Sequence, residues 1–249
     1  MTDLVEFSRD GQVFCATLAR TEKKNALNGA MYQALVDGFA QAGRDETVGV
    51  VLLRGRDGVF TAGNDIADFL ALGGSAETSP GSLFIRALAA FEKPLVAAVE
   101  GPAIGIGTTL CFHCDLVYAA PGARFQMTFV NLGLVPEAGS SLLAPQRFGY
   151  ARAAEFLMLA ESFDAALAHE LGLVNAVVAA DQLYEHALDR AQALAAKPRD
   201  ALLATRRLLR GDPAILKARM DEEMRLFGEA VRSPQARTAF AAFMQKPKG

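Results

Sequence analysis

Uninterrupted apolar runs and one alternating segment set the first structural expectations for this chain. Residues 48–53 and 94–99 are almost wholly apolar, a pattern typical of strands buried on both faces of a sheet. Residues 4–19 contain two apolar stretches around a polar Arg-Asp-Gly turn, which predicts a β-hairpin. The first third of the chain is therefore expected to contribute several strands to one sheet.

Helical periodicity begins after Asn28, which is expected to cap a helix with apolar residues at helical spacing, namely Met31, Leu35, Val36 and Phe39. A second helix is predicted at 83–91, and short strands at 115–119 and 123–125. From residue 139 onward the pattern is helical almost throughout, with one strand near 173–178. Strands mixed with helices, followed by a helical C-terminal third, predict the α/β class.

Two glycine-bearing loops each follow a predicted strand and precede a predicted helix, at 60–65 and 101–107. Such loops direct free backbone N–H groups, aided by the helix dipole, at a ligand. One loop alone is better interpreted as turn chemistry. Two amides that converge on one oxygen would form an oxyanion hole, but the spacing leaves their convergence open.

Composition excludes some classes of function. A chain of 249 residues with 51% apolar residues predicts one large domain, with or without a modest appendage. The net charge of −3 argues against broad binding to nucleic acid or to an anionic membrane. No membrane span or signal peptide is recognised, and three cysteines suit a reducing cytosol. We therefore expect a soluble cytoplasmic protein.

Several motifs occur in an order that resembles a known family. They are Lys-Asn-Ala-Leu-Asn at 24–28, Phe-Thr-Ala-Gly-Asn-Asp-Ile at 60–66, the Lys-Pro-Leu-Val-Ala-Ala-Val-Glu-Gly run within 93–105, Cys-Asp at 114–115, the Leu-Gly-Leu-Val-Pro stretch within 131–136, and a Gly-Leu-Val-Asn segment within 165–177. Over nearly the whole chain these resemble the crotonase (enoyl-CoA hydratase/isomerase) superfamily. The resemblance implies a spiral of ββα units over 1–190 and a helical trimerisation region over 191–249.

The same resemblance implies a binding site for an acyl-CoA thioester. The amides of Asn64 and Ile106 would hold the thioester oxygen as it becomes an enolate. The substrate-binding residues expected on this basis are Lys24, Ala26, Ala62, Asp65, Ile66, Gly105, Phe129, Leu132 and Lys246. Each lysine taken singly is better interpreted as a solvated surface charge. Coenzyme A would enter as part of the substrate, with no metal and no other cofactor, and the expected assembly is a homotrimer or a dimer of trimers.

The reaction type depends on the acidic residues. Hydratases of the family carry two glutamates where this chain has Thr109 and Phe129, so the pair that holds and activates water is absent. The Pro-Glu-Ala-Gly-Ser-Ser segment at 136–141 resembles that of peroxisomal-type Δ3,Δ2-enoyl-CoA isomerases, which implies Glu137 as the single base. A carboxylate interacting with a helix N-terminus is the alternative interpretation of Glu137.

Other activities stay open at this stage. The ring-rearranging isomerase of phenylacetate breakdown resembles this chain around 132–136, but it carries aspartate at the Glu137 position. A catalytically silent acyl-CoA-binding member is a rival from another class, and a dinucleotide-dependent enzyme is a distant third. The Cys-Phe-His-Cys run at 111–114 is expected to pack in the core, since no second ligand pair accompanies it.

Overall fold

Apart from two short strands, the strands and helices follow the predicted order. A computed structural model describes residues 4–67 and 79–245. The strands there are β1 (Val5–Asp10), β2 (Val13–Leu18), β3 (Val50–Gly55), β4 (Leu95–Val99), β5 (Pro102–Ile104), β6 (Leu116–Ala119), β7 (Arg124–Gln126), β8 (Ser162–Asp164) and β9 (Ala176–Val177). The α-helices are α1 (Gly29–Arg44), α2 (Pro80–Ala90), α3 (Ile106–Thr109), α4 (Ser140–Phe148), α5 (Tyr150–Met158), α6 (Ala165–Glu170), α7 (Leu183–Ala195), α8 (Arg199–Arg210), α9 (Pro213–Val231) and α10 (Pro234–Gln245). The α/β class is confirmed.

The larger sheet has the strand order β1-β2-β3-β4-β6-β9 in the described part of the chain. Strands β1 and β2 form the predicted antiparallel hairpin, and β2, β3, β4, β6 and β9 then run parallel. Because β3 and β4 are parallel neighbours, with Val51 opposite Leu95, their carboxyl ends leave the sheet at the same edge. Both glycine-bearing loops start from that edge.

The continuous apolar character of β3 follows from its burial on both faces. Val51 and Leu53 belong to the main hydrophobic core, whereas Val50 and Leu52 belong to a second cluster. Helix α7 covers that second face through apolar residues such as Leu183 and Leu188. Alternate residues of a strand point to opposite faces, so a strand covered on both faces needs apolar residues throughout.

Helix α1 covers the other face of the sheet. The side chain of Asn28 accepts a hydrogen bond from the Met31 N–H at 2.9 Å, which confirms the predicted cap. Met31, Leu35 and Phe39 are buried in the main core, while Val36 is only partly buried against it. The predicted helix and its buried face are therefore confirmed.

Two short strands contradict the sequence-based expectations and build a smaller sheet of order β5-β7-β8. The 101–107 segment is predicted as a loop, but Pro102–Ile104 pairs with β7 as strand β5. The chain after 139 is predicted to hold one strand, but Ser162–Asp164 also pairs with β7. Three residues are too few to show a period of two, so tertiary pairing alone reveals these strands.

The C-terminal helices pack on the main core. Met220, Phe227, Ala236 and Phe240 from α9 and α10 belong to the main hydrophobic cluster. The predicted boundary between 190 and 191 falls inside α7, and the division into two regions stays a prediction. So does trimerisation. No helix in the described residues is long and apolar enough to cross a membrane.

Candidate active site

The two glycine-bearing loops run side by side. The Thr61 N–H donates to the Pro102 carbonyl at 2.9 Å, and the Ile104 N–H donates to the Thr61 carbonyl at 3.0 Å. A Cβ atom at Gly63, where φ is +88°, would lie 2.7 Å from the Ile104 carbonyl oxygen, so glycine is required for the approach. The proximity that the spacing left open is therefore present in the fold.

Particular backbone amides in these loops have no acceptor. The N–H groups of Asn64, Ile106 and Gly107 make no hydrogen bond within the described residues. The neighbouring Gly105 N–H, by contrast, donates to the Gln126 carbonyl at 2.8 Å. Ile106 begins α3, and the first amides of a helix have no partner within the helix. Two adjacent loops therefore present unpaired donors that can bind an oxyanion.

Tyr32 contacts the first loop from helix α1. Its hydroxyl donates to Oδ1 of Asn64, and its ring is buried against Phe84. Burial, and secondarily the charge of Glu137, raise the pKa of Tyr32 well above its ordinary value. Sequence reasoning missed Tyr32, because an aromatic residue next to Met31 in an apolar helix face is indistinguishable from a core residue.

Glu137 lies on the segment that leads into α4. The residue is partly exposed, yet its Oε1 atom is buried and has no hydrogen-bond partner in the described part of the chain. Burial first, and then the charge of Glu223, raise the pKa of Glu137 to about 8. No hydrogen bond joins this carboxylate to the described start of α4, so simple helix capping finds no support in the contacts. A carboxyl group of this kind exchanges protons near neutral pH.

The backbone next to Glu137 is tightly held. The Ser140 hydroxyl donates to the Glu137 carbonyl at 2.6 Å, and Nε2 of the buried His113 donates to the Ala138 carbonyl at 2.7 Å. Burial lowers the pKa of His113 to about 4, so this imidazole is neutral at physiological pH with its proton on Nε2. Ser140 is the first residue of α4.

The residues predicted to hold coenzyme A are brought together next to the first loop. The Ala62 N–H donates to the Lys24 carbonyl at 2.9 Å. Arg20 joins the Ala26 carbonyl at 3.0 Å and the Asp65 carboxylate at 2.8 Å through its Nη1 atom. Sequence reasoning missed Arg20, whose position outside the motif segments gives no signal. The ion pair is largely buried, with side-chain exposures of 14% and 18%, so it stabilises the contact between the segments that carry Ala26 and Asp65.

The other predicted binding residues differ in how deeply they are buried, and one of them lies outside the described residues. Gly105 precedes α3 with φ at +57°, Phe129 is buried, and Ile66 and Leu132 are partly buried against the main core. Lys246 lies outside the described residues, as does most of the 67–82 segment expected to line the acyl pocket. None of these positions contradicts the predicted roles, which stay predictions.

The two positions where family hydratases carry glutamates hold no carboxylate here. Thr109 is fully buried, and its hydroxyl donates back to the Ile106 carbonyl at 3.4 Å. Phe129 is an apolar side chain in the main core. An activated water between two carboxylates therefore cannot form at these positions.

The sulfur and imidazole groups of the 111–114 run pack in the core as predicted. Cys111, Cys114 and His113 are all buried, and both thiols are free. No group of three or more His, Cys, Asp or Glu side chains suited to a metal ion occurs among the described residues.

Comparison with known proteins decides the family. The profile of the family described as Enoyl-CoA hydratase/isomerase matches residues 8–249. The chain belongs to the enoyl-CoA hydratase/isomerase family. It therefore acts on acyl-CoA substrates as a hydratase or an isomerase of that family.

Related enzymes of this family differ in activity. The 2,3-dehydroadipyl-CoA hydratase of Escherichia coli is 33% identical, with 99% of this chain and 97% of the relative covered. The 1,2-epoxyphenylacetyl-CoA isomerase of the same organism is 35% identical, with 94% and 92% covered. Enoyl-CoA delta isomerase 2 of Rattus norvegicus is 32% identical, with 96% of this chain and 63% of the rat protein covered. Family membership alone therefore leaves the reaction undecided.

A solved structure confirms the fold. Pseudomonas aeruginosa OdaA superposes with a TM-score of 0.95 at 42% identity, covering 98% of this chain and 100% of that protein. The predicted crotonase-like fold, with its helical C-terminal region, is confirmed by this match.

Proposed function

We propose that this member of the enoyl-CoA hydratase/isomerase family is a Δ3,Δ2-enoyl-CoA isomerase. It shifts a carbon–carbon double bond of an acyl-CoA into conjugation with the thioester, in fatty-acid or related acyl-CoA catabolism. The observation that carries the proposal is the combination of Glu137, a carboxylate with one buried oxygen and a raised pKa, with non-acidic residues at both hydratase positions, Thr109 and Phe129.

The first step in this proposal is polarisation of the thioester. The unpaired amides of Asn64 and Ile106 donate hydrogen bonds to the thioester oxygen. They stabilise the dienolate that forms when C2 loses a proton, because the oxygen then carries the developing negative charge. Loss of one such donor costs about 100- to 1000-fold in kcat in other enzymes.

The second step is a proton shuttle by Glu137. Its ionised carboxylate removes a proton from C2 and returns that proton to C4 of the dienolate. The double bond moves from C3–C4 to C2–C3, with no net gain or loss of atoms or electrons. A single carboxylate suffices, and a raised pKa brings its proton affinity closer to that of the carbon acid.

Coenzyme A itself is proposed to lie along the segment where Lys24 and Ala26 meet Ala62 and Asp65. The backbone pairing of these residues and the Arg20–Asp65 ion pair hold the two segments together next to the proposed thioester site. Lys24 is exposed, and in this proposal its side chain meets phosphate groups of coenzyme A. No cofactor beyond the substrate's own coenzyme A is proposed.

The enzyme assay follows the product directly. Purified protein is offered 3-hexenoyl-CoA and crotonyl-CoA, and we expect a conjugated enoyl-CoA from the first and little hydration of the second. The catalytic efficiency kcat/KM should rise with pH through the pKa of Glu137, near 8, because only the ionised carboxylate accepts the proton. Brisk hydration of crotonyl-CoA without isomerisation would overturn the proposal.

The variant Glu137→Gln tests the base. It should lower kcat by about 100- to 10,000-fold while binding of hexanoyl-CoA, which cannot react, stays within a few-fold of the wild type. Glu155→Gln, a surface carboxylate paired with Arg152, serves as the control and should leave both quantities unchanged. Full turnover by Glu137→Gln would remove this residue from the mechanism.

One rival activity is that of the 1,2-epoxyphenylacetyl-CoA isomerase relative, at 35% identity. Offering 1,2-epoxyphenylacetyl-CoA beside 3-hexenoyl-CoA separates the two activities, since the preferred substrate shows the higher kcat/KM. Binding of both thioesters without turnover would instead indicate a silent acyl-CoA-binding member.

A further inference from the structure

Glu223 is a buried carboxylate that reaches the Glu137 segment from a distant part of the chain. It lies on α9 with only 5% of its surface exposed. Its Oε2 atom accepts from the Gly139 N–H at 2.6 Å. Its Oε1 atom accepts from the Ser141 N–H at 2.9 Å and from the Ser141 hydroxyl at 2.5 Å. Three donors thus converge on one side chain.

The backbone that Glu223 holds has an unusual conformation. Ala138 and Gly139 both have positive φ, at +58° and +72°. Positive φ is unfavourable for an alanine, so surrounding contacts must maintain it. The amides of Gly139 and Ser141 are at the start of α4, where helical residues lack acceptors within the helix. Glu223 supplies those acceptors.

Helix α9 also fixes the loop by direct packing. A Cβ atom at Gly139 would lie 2.4 Å from Cδ1 of Leu216 and 3.4 Å from Cγ of Met220. Both side chains are on the same helix as Glu223. The backbone at Gly139 therefore packs closely against α9, and the Glu223 carboxylate binds the amides of Gly139 and Ser141.

Charged and titratable groups from several elements surround this segment. Tyr32 on α1 and the neutral His113 approach Glu137 and its loop. Arg219 on α9 donates to the Ser141 hydroxyl at 3.3 Å and partly offsets the charge of Glu223. The charge of Glu223 contributes to the raised pKa of Glu137, after burial.

We propose that Glu223 is a positioning residue for Glu137: it fixes the 137–141 loop so that the carboxylate of the base is held at the thioester site. The inference rests on the proposed role of Glu137. A second consequence follows from the charge of Glu223. This like charge makes ionisation of Glu137 harder and its conjugate base stronger.

The variant Glu223→Gln tests both consequences, because it keeps the side-chain length but removes the charge and replaces one acceptor oxygen with a donor. We expect kcat to fall about tenfold with KM within about twofold of the wild type. The ascending limb of kcat/KM against pH should move to lower pH, since removal of a neighbouring negative charge lowers the pKa of a carboxyl group. Amide hydrogen exchange at Gly139 and Ser141 should become faster.

The matched control is Glu229→Gln, a surface residue of the same helix paired with Arg225. It should leave kcat, the pH profile and the exchange rates unchanged. Ser141→Ala covers the case in which Glu223→Gln fails to fold. It removes one hydroxyl donor but retains the Glu223 charge, so kcat should fall about two- to fivefold with no movement of the pH limb.

The outcomes separate this inference from the proposed function. If Glu137→Gln is inactive while Glu223→Gln matches the wild type in kcat, pH limb and amide exchange, the positioning role is wrong and the base assignment survives. If Glu137→Gln retains full turnover, the base assignment fails, and faster exchange at Gly139 in Glu223→Gln would establish only a structural clamp. A fall in stability with kcat and the pH limb both unchanged also contradicts the inference.

Discussion

The loops around Asn64 and Ile106 and the loop that carries Glu137 share residues with positive φ, but their backbone amides differ in whether the protein supplies an acceptor. Gly63 and Gly105 have positive φ, as do Ala138 and Gly139, and two of these loops lead directly into helices. In the first pair of loops, selected amides have no acceptor within the described residues. In the Glu137 loop, the amides of Gly139 and Ser141 are bound by Glu223.

This difference shows how one kind of backbone geometry serves two purposes. Where the protein leaves an N–H group unpaired beside a substrate pocket, the ligand can supply the acceptor. Where the protein supplies the acceptor itself, the loop becomes a rigid support for a side chain. The proposed oxyanion donors belong to the first case, and the proposed base belongs to the second.

Among the changes that test this comparison, the largest effect is expected from Gly63→Ala, which fills the space between the loops that carry Asn64 and Ile106. The added Cβ would meet the Ile104 carbonyl oxygen, and alanine is strained at a φ of +88°. The loops must then separate, and kcat should fall about 100- to 1000-fold, as when an oxyanion donor is lost. Steady-state kinetics with 3-hexenoyl-CoA measure this change.

The matched control is Gly172→Ala, which imposes a similar strain at a φ of +78° with nothing within 4 Å of the new Cβ. It should lower stability but leave kcat close to that of the wild type. A folded Gly63→Ala protein with nearly normal kcat would show that separation of the two loops is tolerated by the reaction.

A smaller effect concerns His113, which holds the Glu137 loop through the Ala138 carbonyl. Its pKa is lowered to about 4 in the fold, so it stabilises the protein above pH 6.5 and that stability is lost as pH falls from 6.5 towards 4. The loss reaches about 2–3 kcal/mol at pH 4.5, at roughly 1.4 kcal/mol per pH unit. His113→Gln retains an N–H donor without the titration, so its stability should fall less over this range.

Urea unfolding at pH 7.5, 5.5 and 4.5 measures this difference. His169→Gln is the control, because His169 also contacts a backbone carbonyl, that of Val174, and the variant retains His113 with its acid sensitivity. Parallel pH dependences for wild type and His113→Gln would contradict a buried neutral imidazole at this position.

The smallest effect is expected for Tyr32→Phe, which removes the hydrogen bond to Oδ1 of Asn64. A neutral hydrogen bond contributes about 0.5–1.5 kcal/mol, so kcat should fall about two- to tenfold. Tyr150→Phe, at a residue that is 78% exposed, should have no effect. A loss far above tenfold would indicate that the Tyr32 hydroxyl takes part in proton transfer and does more than bind the Asn64 side chain.

Local patterns predicted the longer elements well and the short ones poorly. The Asn28 cap and the apolar face of α1 were predictable because a cap and a helical period are local properties. The paired strand near 173–178 is limited to Ala176–Val177, and β5 and β8 lie where a loop and a helix were expected. Those elements have two or three residues each, and pairing partners distant in sequence define them.

The candidate site divides in the same way. Glu137 could be selected because it lies within a motif that resembles a family segment, and Asn64 and Ile106 because the same family resemblance implies their amides. Arg20, Tyr32 and Glu223 carry no such local signal. Their contacts to Asp65, Asn64 and Ser141 span 45, 32 and 82 residues along the chain.

The sequence by itself determined the α/β class, the family resemblance, the two glycine-bearing loops and the carboxylate available at residue 137. Only the tertiary structure decided that the loops lie side by side, that Oε1 of Glu137 is buried, and that Glu223 binds the loop amides. The physical reason is that burial and hydrogen-bond partners depend on residues far apart in sequence. The raised pKa of Glu137 therefore depends on the folded environment.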